Sequence, residues 1–104
     1  MTLVNGSPEL RFGQFELDNE RHSVLADGNI VELTRIEFRL LRELIDQRGS
    51  IQSRRQLLLS VWDTSARIET RTVDMHVARL RLKLGKLGGL IETVWGVGYR
   101  MKAL

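Results

Sequence analysis

The sequence predicts an α+β domain with an N-terminal antiparallel sheet, three helices and a C-terminal β-hairpin. Three observations carry that prediction. The apolar residues alternate in short runs up to Leu33 and take helical spacing from Thr34 onward. Two capping signatures, Thr34 with Glu37 and Ser53 with Gln56, mark helix starts. Turn residues bracket two strand pairs, Asp27-Gly28-Asn29 near the start and Gly96-Val97-Gly98 near the end.

Size and composition bound the rest. A chain of 104 residues suffices for one domain with one core. With no cysteine, a disulfide framework and a cysteine zinc or Fe–S site are excluded, which suits a reducing cytoplasm. The longest apolar runs, as at Leu57–Leu59, fall far short of the ~20 residues that span a bilayer, so a soluble cytoplasmic protein is expected. The net charge of +3 is unevenly spread. Residues 1–50 hold six Lys/Arg against nine Asp/Glu, and residues 51–104 hold ten against four. A basic second half suits a protein with one face toward a polyanion, and also a merely solvated basic surface.

Residues 1–8 are short and polar and hold the only proline, so they read as a flexible tail or linker remnant before a domain over 9–104. The runs LRFGQFELD and HSVLADGNIVEL predict three or four short strands. Phe38, Leu41, Leu44 and Ile45 then predict a first helix over about 35–47, with Gly49 placed to stop it in a left-handed conformation. Leu57, Leu58, Val61 and Trp62 predict a shorter second helix over about 54–62, and residues 63–69 a loop.

The third helix, in TRTVDMHVARLRLKL, is the informative one. Val73, Val77, Leu80 and Leu84 form a narrow stripe toward the core, while Thr72, Met75, Arg79 and Lys83 gather on the far side, with Arg71, Leu82 and Lys86 at its margins. Gly85, Gly88 and Gly89 end it, and IETVW-GV-GYRMKAL closes the chain as two strands about a two-residue turn, Gly96-Val97. A sheet, three helices with the most basic third, and a hairpin is the order of a winged helix-turn-helix. In that arrangement the third helix lies in the major groove of DNA and the hairpin reaches the flank.

The stretches LTRIEFRLLRELIDQRG, SRRQLLLSVW, TRTVDMHVARLRLKL and LIETVWGVGYRM resemble the effector domain of OmpR/PhoB-type bacterial response regulators over roughly residues 9–103. The resemblance implies sequence-specific double-stranded DNA binding in transcriptional control, with a phosphorylated receiver domain upstream driving head-to-tail pairing on direct repeats. No receiver is present in this sequence, so an isolated effector half, monomeric alone, is expected. Position by position, the resemblance places Arg71, Thr72 and His76 at phosphates near the entry of the third helix. It places Arg79 at a base edge and Met75 near a thymine methyl. It also places an RNA polymerase contact in loop 63–69, although DTSARIE itself specifies nothing.

The residues themselves leave alternatives open. His76 lies on the shoulder of the core stripe, so it is either a half-buried structural histidine or a phosphate contact. Arg81 and Asp74 share the opposite shoulder, where anchoring to another element is preferred to DNA contact. Of Arg54 and Arg55, which open the second helix, one is expected at a phosphate. Thr93 and Tyr99 complete the DNA-facing set in the hairpin, Tyr99 with its hydroxyl free for a phosphate. Trp95 departs from the family, which commonly carries arginine there and inserts it into the minor groove. Packing against the third helix is the preferred reading of Trp95, ahead of a flat contact on DNA and a patch for a partner.

No cofactor, metal or catalytic residue is expected. His22 is the only histidine besides His76 and belongs to the distant sheet, and no phosphate loop or nucleophile motif occurs. The alternative to DNA binding is a winged-helix module that uses the same face for protein.

Overall fold

The computed structural model describes residues 10–62 and 68–103; the expected tail 1–8 and most of loop 63–69 lie outside them. Four strands, β1 (Leu10–Phe12), β2 (Phe15–Asp18), β3 (Ser23–Ala26) and β4 (Asn29–Glu32), form an antiparallel meander in chain order. The β3–β4 connection is the two-residue turn Asp27-Gly28, with φ of 50° and 81°. Both central positions of such a hairpin turn need positive φ, and Asp-Gly tolerates that conformation well. Phe15, Leu17, Val24 and Ala26 alternate onto the buried face.

Helix α1 (Arg35–Asp46) opens with the complete capping box: the Glu37 N–H donates to Thr34 Oγ1 and the Thr34 N–H donates to Glu37 Oε1. Phe38, Leu40, Leu41, Leu44 and Ile45 are buried, each side chain contributing about 1.5–3 kcal/mol of transfer free energy. Gly49 adopts φ 86° and donates its N–H to the Met101 carbonyl, so the turn that follows α1 is tied to the last strand.

The second helix begins with the Ser53–Gln56 capping box and is regular only over α2 (Arg54–Leu57); Leu58–Trp62 continues it as a wider π turn. A regular helix throughout was expected. The π turn still buries Leu58 and Val61, and apolar periodicity alone does not distinguish one winding from the other. Helix α3 (Arg71–Leu84) buries the expected stripe, Val73, Val77, Leu80 and Leu84, and passes through a 3-10 segment (Gly85–Leu90) into the final strands.

Those strands, β6 (Ile91–Val94) and β7 (Gly98–Met101), make the hairpin, but a third strand joins them. The two residues of β5 (Gln52–Ser53) pair with Tyr99 and Gly98, giving the order β5-β7-β6. The turn differs from expectation too. Val94 pairs with Gly98, so the loop has three residues, Trp95–Val97, closed by the Val97 N–H on the Val94 carbonyl with Gly96 at φ 79°. Gly98 makes room for β5: a Cβ there would meet the Gln52 carbonyl oxygen at 2.0 Å. One core joins the four-stranded sheet, all three helices and the hairpin.

Candidate nucleic-acid interface

Helix α3 has two working sides. Away from the core it exposes Arg71, Met75, Ala78 and Arg79, with Thr72 half-buried at the edge, so Thr72, Met75 and Arg79 of the expected outward set are accessible. Met75 is 51 % exposed, an unusual placement for a methionine with a core nearby. Arg71 is held only loosely, 3.8 Å from Glu69 with both side chains open to solvent.

The shoulder that carries Asp74 and Arg81 faces the hairpin. Arg81 donates from Nε to the Ile91 carbonyl at 3.0 Å, and from its terminal nitrogen to Thr93 Oγ1 at 2.9 Å. The anchoring role expected of Arg81 is thereby realised, and it engages Thr93, one of the residues assigned to DNA. Asp74 accepts from Arg54 Nε at 2.7 Å and from the Tyr99 hydroxyl. The guanidinium groups of Arg54 and Arg81 both lie over the Tyr99 ring, at 5.4 and 5.6 Å from its centre.

Two sequence expectations are corrected by that network. The Tyr99 hydroxyl is not free for a phosphate, because the residue is buried and its donor is committed to Asp74. Arg54 is likewise committed, which leaves Arg55, exposed on the first turn of α2, as the freer of the two arginines. The charges respond accordingly. Burial alone would raise the Asp74 carboxyl, but the Tyr99 and Arg54 hydrogen bonds outweigh it and hold the group below the usual carboxylate range. Burial, and then the hydrogen bond to the Asp74 carboxylate and its charge, push the Tyr99 phenol up.

Lys83 is corrected as well. Instead of joining the outward basic face, its Nζ lies 2.7 Å from Oε1 of Glu37, which is 3 % exposed in the first turn of α1. Burial by itself would raise this carboxyl; the Lys83 and Thr34 hydrogen bonds bring it below its ordinary value. The far end of α3 is thereby pinned to the start of α1. His76 turns out half-buried, with Nδ1 2.9 Å from the Thr72 carbonyl and its ring edge-on to Trp62 at 5.0 Å. Since a carbonyl only accepts, Nδ1 carries the proton.

At the hairpin tip the preferred reading of Trp95 is overturned. The side chain is 86 % exposed and projects from the loop instead of packing on α3, with Val97 beside it at 48 %. The hairpin stem is held by Arg81 on one side and β5 on the other, and the indole stands beyond both at the loop tip.

Three packed helices, an outward face on α3 and a hairpin fastened to its shoulder form a winged helix-turn-helix. A family model described as transcriptional regulatory protein, C terminal, matches residues 28–101. The chain belongs to this family. As a regulatory C-terminal domain it is not an enzyme. It is 42 % identical over 109 aligned positions to the transcriptional regulatory protein SrrA of Staphylococcus aureus, covering 97 % of this chain and 45 % of that protein. The chain thus spans under half the length of the curated relatives it matches. Among solved structures, it is 31 % identical to the AdeR DNA-binding domain in complex with an intercistronic region, with TM-score 0.79, covering 91 % of this chain and all of that one. The CpxR DNA-binding domain from E. coli is 34 % identical with TM-score 0.78, covering 93 % and 98 %. The Klebsiella pneumoniae RstA DNA-binding domain in complex with the RstA box is 30 % identical with TM-score 0.77, covering 90 % and 96 %.

Within this C-terminal regulatory domain, two structural ties have no signature in the sequence. The Arg54–Asp74–Tyr99 cluster joins positions 20 and 25 residues apart, and Glu37–Lys83 joins positions 46 apart. The one signal available was the shared shoulder of Asp74 and Arg81, which showed that α3 had a second polar side without showing its partner. Among the described residues, no helix is long and apolar enough to cross a membrane, and no cluster of three or more His, Asp or Glu could hold a metal ion.

Proposed function

We propose that this domain binds double-stranded DNA sequence-specifically, as the output half of a two-component transcriptional regulator in the bacterial cytoplasm. Helix α3 enters the major groove, and the wing, residues 91–102, lies along the flank. The observation that carries this reading is the division of labour on α3. Asp74, Arg81 and Lys83 are engaged by neighbouring elements, Asp74 by Arg54 of α2, while Arg71, Thr72, Met75 and Arg79 stay available on one face. Solved relatives bound to DNA, AdeR and RstA, support it.

In this reading Arg71, Thr72 and Arg55 set the register on phosphates, and Arg79 reads a base edge through its fork. His76 holds the entry turn of α3 by its bond to the Thr72 carbonyl. Met75 lies against a thymine methyl. A receiver domain upstream controls pairing of two copies head to tail on direct repeats, and loop 63–69 contacts RNA polymerase.

Selection from a random duplex library tests the proposal, with a recovered half-site repeated about one helical turn apart as the expected result. Affinity for that site should fall steeply with salt, by roughly −0.9 in log K per log unit for each phosphate neutralised. The exposed Met75 and Leu82 favour one other reading, a protein-binding winged helix. A shallow salt dependence with no enriched motif would decide for it.

A further inference from the structure

The wing tip is the one part of the candidate interface whose chemistry runs opposite to the rest. Its three residues, Trp95, Gly96 and Val97, carry no charge, and two of them are large exposed hydrophobics at 86 % and 48 %. The arginine of the returning strand does not compensate, since Arg100 Nε is 3.1 Å from Oε1 of Glu92. Arg81 is turned into the stem at the Ile91 carbonyl and Thr93. The tip therefore has neither a free cation of its own nor one lent by its strands.

The support behind the tip is stiff. Gly98 admits β5 so closely that the wing has three strands instead of two, Gly96 supplies the positive φ of the turn, and the Val97 N–H closes the loop on the Val94 carbonyl. A large flat indole held out on a rigid stem beside a DNA-facing helix has the form of a wedge. Apolar side chains that enter a minor groove do so by partly unstacking a base step, which is cheapest at pyrimidine–purine steps. An arginine there instead seeks the narrow, strongly negative groove of an A-tract.

We propose that Trp95, backed by Val97, is a shape-reading wedge that makes this wing prefer a flexible TA or CA/TG step beside the half-site over an A-tract. The inference rests on the DNA-binding reading above and specifies what the wing selects. The wing's contribution is apolar, so it adds affinity without adding to the salt dependence.

The test uses the whole chain and two duplexes with the same selected half-site, one flanked by a TA step at the wing position and one by an A-tract. The wild type is expected to prefer the TA flank by roughly tenfold, the scale of one unfavourable base step. Trp95→Ala should abolish that preference while keeping the half-site and the slope of log K against log salt. Trp95→Arg should reverse the preference and steepen the slope by about one. Because the indole is exposed, neither change should move the thermal midpoint, which is measured alongside. Equal preference for both flanks in the wild type, or an unchanged preference in Trp95→Ala, overturns the wedge. So does a change in sedimentation of the free chain on Trp95→Ala, which would make the tip a protein contact. Loss of binding to every duplex by the wild type would instead overturn the DNA-binding reading itself.

Discussion

The Tyr99 hydroxyl on the wing donates to the Asp74 carboxylate on α3, so the two parts expected to meet DNA are fastened to each other before DNA arrives. Arg54 from α2 closes the same carboxylate, making it a three-way joint between helix, helix and strand. Preorganising a binding surface in this way lowers the ordering cost of association.

Tyr99→Phe removes the hydrogen bond and keeps the ring against its two guanidinium groups. Since Tyr99 is 4 % exposed but the Asp74 side chain can still be solvated, a loss of about 1–2 kcal/mol in urea unfolding is expected. The pH response has two sides. The folded-state pKa of Tyr99 is raised, so its contribution is complete below the unfolded value of about 10 and is lost as pH rises through the folded one. That of Asp74 is lowered, so its contribution is present above the unfolded value of about 3.9 and fades as pH falls. Tyr99→Phe should abolish the alkaline limb; a wild-type and variant that lose stability in parallel above pH 10 would contradict the assignment.

Lys83→Met tests whether Lys83 is a tether or a DNA contact. The buried Glu37 keeps its Thr34 N–H, and the lysine is 39 % exposed, so about 1 kcal/mol of stability should be lost at neutral pH. Glu37 has a lowered folded pKa, so its stabilisation is present above about 4.3 and is lost as pH falls through the folded value. The gap between variant and wild type should accordingly narrow in acid. The salt slope of DNA binding should stay the same; a slope shallower by about one would return Lys83 to the phosphates.

Gly98→Ala is expected to cost about 3 kcal/mol, because the added Cβ would collide with the backbone of Gln52 and Ser53, which have no rotamer to retreat into. Gly89→Ala is the control. Nothing lies within 4 Å of a Cβ there, and the change should stay within about 0.5 kcal/mol. Equal effects at the two glycines, measured by chemical denaturation, would mean that β5 is not pressed against β7 in solution.

Arg79→Ala should cost about 1–3 kcal/mol of binding at the selected half-site and relax discrimination at one base position, with the fold unaffected since the side chain is exposed. Identical binding curves on the selected and scrambled duplexes for variant and wild type would remove Arg79 from base readout.

The sequence by itself determined whatever repeats at short range. The Thr34 capping box, the core stripe Val73–Val77–Leu80–Leu84 and the Asp27-Gly28 turn are each set within one or two turns of chain, where periodicity and backbone sterics decide the outcome. Its basic second half and the outward side of α3 were legible for the same reason. Tertiary structure alone decided what depends on distant partners. Two residues of β5 are too few to show a period, so only Gly98 hinted that a third strand crowds the wing. Lys83 and Tyr99 looked available until Glu37 and Asp74 arrived from other elements to engage them. Packing on α3 is the preferred reading of Trp95 from sequence, and only the fold shows that a three-residue loop, beyond the stem held by Arg81 and β5, leaves the indole exposed. Polar side chains on a helix shoulder have no fixed meaning until the neighbouring element supplies, or withholds, an opposite charge.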